Sequence, residues 1–315
     1  MSTRLETFIR FTTDSVGLER TIRLFQALVQ ILSSFALPFD LLLYTLTLST
    51  SSPVPPSASA TRLILATLNQ RLGLARRFFR LFRSLEAFHA AQKIYARISS
   101  PAPSSAGQKR RPTWVHLEPW LDLLSRTFMG MYLLLEASTF PHALQVPGLA
   151  PWSAERERQL TIEGQRFWLF ALVSGALYQA LEILNVLAHT PVPATGAGFG
   201  GNGAAGNGSE TESKEEAAVA DADANNDLRK EQQRLRAIVG ARKEQRRQWR
   251  REVAAKTSKL ARGAMANALD TVLPGTVVGW IKVEPGTVAV AMLVTTILTS
   301  VDVWERCERE VLASK

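Results

Sequence analysis

Apolar residues in this chain fall in long blocks, and Pro/Ser/Gly-rich or charged stretches separate the blocks. In the first block, Leu18, Ile22, Phe25, Val29 and Leu32 recur at three- and four-residue steps, which predicts a helix over residues 18–35. Asp14 and Gly17 mark a turn before it, and Pro38 is expected to stop it. LPFDLLLYTLTL follows, too short to cross a bilayer and carrying Asp40. After the linker SSPVPPSASA, the pattern predicts one long helix over 61–98, which SSPAPSSAGQKRRP ends. A third block, 114–140, is apolar but interrupted by Asp122 and Arg126, so it either packs on neighbouring helices or enters a membrane.

The fourth block, FWLFALVSGALYQALEILNVL over 167–187, has Glu182 and Tyr178 as its only ionisable groups. Its length as a helix, ~31 Å at 1.5 Å per residue, matches a hydrocarbon core; a buried core helix is the alternative. The last block, TVAVAMLVTTILTSVDVW over 287–304, gives a bare span of ~27 Å. Asp302 lies at its end, and Trp304 and Trp280 suit the two interfaces. Leu and Ala dominate the blocks, and β-branched alternation is scarce until the last forty or so residues. The expected fold class is therefore all-α: an integral membrane helical protein with amphipathic interfacial helices and a long disordered insert.

Charge separates the chain further. Between Asp227 and Arg262 stand thirteen Lys/Arg against four Asp/Glu, which accounts for the whole net charge of +9. Ahead of this segment, residues 190–226 are Gly-, Ala- and Asn-rich and then acidic, with too little apolar surface to offset ordering entropy. Four regions result: an amphipathic and membrane helical region over 1–189, a disordered linker over 190–226, a basic helix over 227–263, and a C-terminal membrane segment with a short tail over 264–315. The basic helix has one aromatic residue, Trp249, and no accompanying folded module, so it reads as a solvated helix near anionic lipid and not as a nucleic-acid footprint.

Catalytic chemistry finds no foothold. Cys307 is the single cysteine, and His89, His116, His142 and His189 are scattered, so no metal spacing forms. The glycines at 196–208 lack the Lys-Ser/Thr end of a phosphate-cradling loop, and there is no nucleophile elbow. No enzyme, no cofactor and no metal site is expected.

The densest chemistry is ARRFFRLFRSLEAFHAAQ, Ala75 to Gln92, with four arginines and four phenylalanines. On a continuous helix, Arg76, Arg77, Arg80 and Arg83 fall on one side and Phe78, Leu81, Phe82, Leu85 and Phe88 on the other. Such a helix suits a water–lipid boundary, with rings sunk below the headgroups and guanidiniums at the phosphates. The same pattern serves a helix whose rings pack on the protein's own core.

Several blocks, in order, resemble the peroxisomal biogenesis factor eleven family. FIRFTTDSVGLERTIRLFQALVQIL is similar to that family's opening helix, RLGLARRFFRLFRSLEAFHAA to its amphipathic helix, and LDTVLPGTVVGWIKVEPGTVAVAMLVTTI to its C-terminal membrane segment. The Gly-rich, acidic insert and the basic helix depart from the pattern and resemble longer fungal-type members. The resemblance implies an integral protein of the peroxisomal membrane that promotes membrane elongation and peroxisome proliferation and division, by an amphipathic helix inserted in one leaflet. It implies an anionic phospholipid membrane as partner, with Arg76, Arg77, Arg80 and Arg83 on phosphates and Phe78, Leu81, Phe82, Leu85 and Phe88 inserted. Self-association and work with the fission machinery are also implied. Gly275 and Gly279 form a Gly-x-x-x-Gly step that would let two membrane helices approach; a glycine-rich bend is the alternative.

Two further function classes remain open from sequence. A channel or metabolite-permeability protein would need polar groups inside its spans, for which Arg126 and Glu182 are the candidates. A soluble helical scaffold would need none. Topology is in conflict: with spans at 167–187 and 287–304 and both termini cytosolic, the basic segment would face the lumen, against the usual placement of basic loops. A third membrane element would reconcile the two.

Overall fold

The computed structural model of the chain describes residues 3–49, 57–100, 117–146, 148, 149, 151–190 and 220–314. Ten helices follow one another among these residues, with no strand, so the fold is all-α. They are α1 (Thr3–Thr13), α2 (Ser15–Ser34), α3 (Ala36–Ser49), α4 (Ala58–Phe79), α5 (Arg83–Ser99), α6 (Leu117–Ala143), α7 (Ala154–His189), α8 (Ala220–Asp270), α9 (Val272–Val278) and α10 (Pro285–Ala313). Two compact units form, one of Met1–Leu184 with Lys259–Lys315, the other of Asn185–Ser258.

The predicted signals start the helices, with two adjustments. Asp14 caps α2 by accepting the Gly17 N–H at 3.1 Å. Position 17 must be glycine, because a Cβ there would lie 2.0 Å from the Phe11 carbonyl oxygen. Pro38 does not stop this helix. The chain turns at Phe35, and Pro38 sits in the first turn of α3, where its missing N–H would have had no intrahelical partner. α2 and α3 meet at 97°. Phe39 of α3 is thereby buried with Val29 of α2 and Leu65 of α4, and this cluster is filled out by Leu32, Leu42, Leu43 and Leu72.

In the first unit, α2 packs between α4 and α10, α1 lies on α10, and α5 runs along α6. Ion pairs fasten α1 and the α2 cap to α10: Arg10 Nε donates to Glu310 at 3.0 Å and Arg306 Nη2 donates to Asp14 at 2.6 Å. α7 follows α6 through aromatic stacking, Tyr132 on Trp168 at 5.2 Å and Phe128 on Phe167 at 6.1 Å. Arg126, a candidate intramembrane charge, pairs instead with Asp122 one turn earlier at 2.9 Å.

Two helices among the described residues are long and apolar enough to cross a membrane, Ala154–Ala188 and Pro285–Ala313, and the bent α2–α3 pair passes the same test as one broken element. α10 has two faces. Ala289, Met292, Thr295 and Thr296 are buried against the protein, whereas Val290, Val294 and Ile297 are exposed at helical spacing.

Gly275 and Gly279 build a turn within the chain rather than a seam between long helices. Gly279 ends the seven-residue α9 with φ +85°, the left-handed conformation that glycine adopts without strain. The Trp280 and Ile281 N–H groups both return to the Gly275 carbonyl at 3.0 Å, and the Ile281 side chain closes over Gly275.

Of the Gly-rich and acidic stretch, residues 191–219 lie outside the described residues, and the backbone is helical from Ala220. In the second unit α8 exposes Leu235 and Val239 among its cations.

Candidate functional site

The arginine-phenylalanine stretch is not one continuous helix. α4 ends at Phe79 and α5 starts at Arg83, and between them the backbone tightens to three-residue hydrogen bonds. Leu81 N–H reaches Phe78 O at 3.2 Å, and Arg83 N–H reaches Arg80 O at 3.0 Å. Arg80 and Phe82 both have φ near −100° and ψ near zero. Neither glycine nor proline causes this elbow. The side chains on it are instead drawn to two different helices, α2 on one side and α6 on the other.

Glu19 of α2 is one anchor. It is 3% exposed and accepts the Arg76 Nε hydrogen bond at 3.2 Å. Arg20 and Arg83 approach the same carboxylate at 3.7 and 3.9 Å. Arg76, itself 8% exposed, also donates through Nη1 to Gln26 Oε1 at 2.7 Å. Burial, reinforced by the positive charges of Arg80 and Arg23, pulls the Arg76 guanidinium down to about 10, so it stays protonated at neutral pH.

Glu136 of α6 is the other anchor. Arg80 Nη2 donates to it at 2.7 Å, the Tyr132 hydroxyl donates to it at 3.0 Å, and Arg77 Nε stands 4.0 Å away. Arg80 Nη1 in turn donates to the Tyr132 oxygen at 3.3 Å. Burial pushes the Tyr132 phenol up to about 12, with Arg80 opposing and Glu136 adding to the shift, so the hydroxyl keeps its proton as a donor. A third pair closes the cluster, Arg23 Nη2 donating to Asp270 at 2.5 Å and to Thr295 Oγ1 of α10 at 3.1 Å.

The charged side of the elbow therefore faces inward, and the aromatic side faces out. Phe78, Phe82 and Leu85 are 60%, 75% and 68% exposed. Phe78 leans on Phe79 and Phe140, with ring centroids 5.8 and 6.4 Å away. Leu81 is half-buried, and so is Phe88, whose ring fills the space a side chain at Gly130 would need, 2.8 Å from the missing Cβ. Of the five residues expected to insert, three stand free. Of the four arginines expected on phosphates, Arg76 and Arg80 are engaged inside the protein, and Arg77 and Arg83 keep about a third of their side-chain surface exposed.

The anchors Glu19, Asp270, Glu136 and Tyr132 were not singled out in the sequence. A signal for two of them is present: Glu136 is the one charge in MGMYLLLEASTF, and Glu19 stands in a helix of apolar periodicity. A lone carboxylate in such a setting needs a buried cation.

No curated protein and no solved structure matches this chain. The model of one family, peroxisomal biogenesis factor 11 (PEX11), matches residues 53–304, about four fifths of the 315 residues, including α4, α5, α6, α7, α9 and most of α10. With that match, an all-helical fold, two helices able to span a membrane and an aromatic ridge turned outward, the chain belongs to the peroxisomal biogenesis factor 11 (PEX11) family.

Proposed function

We propose that the α4–α5 elbow lies in one leaflet of the peroxisomal membrane and promotes its elongation. PEX11 membership makes the chain a peroxisome biogenesis factor associated with that membrane. The finer reading rests on one observation: the elbow turns Phe78, Phe82 and Leu85 outward while ion pairs hold Arg76 and Arg80 inward. In water such a ridge would be a largely exposed apolar patch; at a lipid interface it is the inserting edge. A fully buried Phe or Leu gains ~1.5–3 kcal/mol, so three residues of this exposure contribute on the order of 3–6 kcal/mol. Arg77 and Arg83 sit beside the ridge with surface left for lipid phosphates, each adding ~1 kcal/mol near an anionic bilayer.

A wedge in one leaflet expands that leaflet and favours curvature. The buried anchors give the wedge a rigid mount, because the elbow is tied through Glu19 to α2, which packs on the candidate span α10. Self-association and work with the fission machinery belong to the same reading.

The test uses the full chain reconstituted in vesicles containing anionic phospholipid. Electron microscopy should show tubules with the unaltered chain and none with Phe78→Glu/Phe82→Glu at equal incorporation. Tubulation by the double variant at the unaltered level would remove the wedge from the account.

A further inference from the structure

Beyond the aromatic ridge, α2, α4, α6 and the start of α7 enclose a polar cavity of about 400 Å³, the lower part of the small-molecule range. We propose that it is a binding site for a phosphorylated polyol, either the headgroup of an inositol phospholipid or the free phosphorylated headgroup.

The lining selects this chemistry. Arg71 and Arg77 bring two guanidiniums to the wall, and Arg71 has no ion-pair partner among the described residues. Two forks of this kind suit a phosphate or another multivalent anion. Asn69 and His142 add a side-chain amide and an imidazole to the same wall. Glu157 and three glutamines complete the polar lining, which supplies acceptors for several hydroxyls. An anion that also carries hydroxyl groups satisfies both halves of this lining; a simple fatty or aromatic anion pairs with the arginines and leaves the hydroxyl acceptors unused.

Gly73 keeps the space open. It occupies the interior of α4, where glycine weakens a helix relative to alanine, and it lines the cavity. A Cβ at this position would meet only Gln26 Nε2, at 3.4 Å, so the backbone tolerates a side chain and the cavity would receive it.

The cavity shares Arg77 with the flank of the ridge but none of Phe78, Phe82 and Leu85, so the two separate experimentally. The full chain in phosphatidylcholine nanodiscs is titrated with glycerophosphoinositol monophosphate, and lipid-borne headgroup is supplied in parallel by doping the nanodiscs with phosphatidylinositol monophosphate or with phosphatidylserine. Binding of the inositol phosphate probe should weaken about tenfold or more in Gly73→Leu, which fills the cavity, and in Arg71→Gln, which alters an exposed side chain and leaves the fold intact. Both variants should still tubulate vesicles, whereas Phe78→Glu/Phe82→Glu should lose tubulation and keep binding of the soluble probe. Binding of the lipid-borne form alone assigns the site to a membrane lipid, and binding of the soluble form assigns it to the free headgroup as well; either supports the proposal. Absence of binding by both forms, or binding no tighter than phosphatidylserine and unchanged in both variants, would overturn it.

Discussion

Replacing Glu19 by glutamine removes the one carboxylate that Arg76 contacts among the described residues and leaves that guanidinium buried. Arg20 and Arg83 lose the same partner, at 3.7 and 3.9 Å. Breaking one side of a buried ion pair costs about 3–5 kcal/mol, because the remaining charge keeps its desolvation cost without its partner. For a helical unit of this size each kcal/mol shifts the melting midpoint by roughly 2–4 °C, so the midpoint should fall by about 6–20 °C. Tryptophan fluorescence melts of the detergent-solubilised chain read this directly. The paired variant Glu19→Gln/Arg76→Met removes the stranded cation and sets an apolar side chain beside Met292, whose sulfur lies 4.0 Å from Arg76 Nη1. It should be more stable than Glu19→Gln alone, with a coupling of about 1–3 kcal/mol. A midpoint for Glu19→Gln within about 2 °C of the unaltered chain, at most about 1 kcal/mol by the same scale, would refute the claim that this carboxylate anchors the elbow.

Gly130→Leu drives a side chain into the Phe88 ring and should cost about 1–3 kcal/mol by overpacking, seen as a lowered melting midpoint. Tyr132 titrates late in the folded chain, at about 12, so its contribution to stability is full below the ordinary phenol value near 10 and is lost as pH rises from there through 12. Tyr132→Phe should therefore flatten the alkaline loss of stability over that window, measured by denaturation at stepped pH. Cys307 is 1% exposed, so a maleimide should label it only after denaturation.

Helix-forming blocks were legible because periodicity is local. The apolar face of 18–35 became α2, and the blocks at 167–187 and 287–304 lie inside the two helices able to cross a membrane. The tail of the predicted helix over 61–98 was not legible as drawn. Its break at Arg80–Phe82 carries no glycine or proline and coincides with attraction to Glu19 and Glu136, far away in sequence. The helical wheel set the arginines apart from Phe78, Phe82 and Leu85, which the structure exposes, but it could not say which side faced the protein. Composition alone suggests cations outward; the carboxylates on α2 and α6 reverse that, and no single-helix pattern contains them. The Pro38 stop failed for a local reason, since a helix's first turn accepts proline as readily as a loop does.

The polar cavity and the aromatic ridge share one scaffold: α4 carries Arg71 and Gly73 on the cavity wall, then Phe78 at the ridge six residues beyond Leu72 of the core cluster. A headgroup held in the cavity would thus be bound by the same helix that leads into the elbow.

The most direct test of the account is the depth of residue 82 in a bilayer. A nitroxide is attached to Phe82→Cys in a Cys307→Ser background, with Lys93→Cys on exposed α5 surface as the reference, and accessibility to oxygen and to a water-soluble nickel chelate is compared in anionic nanodiscs. The account predicts that the label at 82 favours oxygen and lies below the phosphates while the label at 93 favours the chelate. Equal chelate access at the two positions would contradict it.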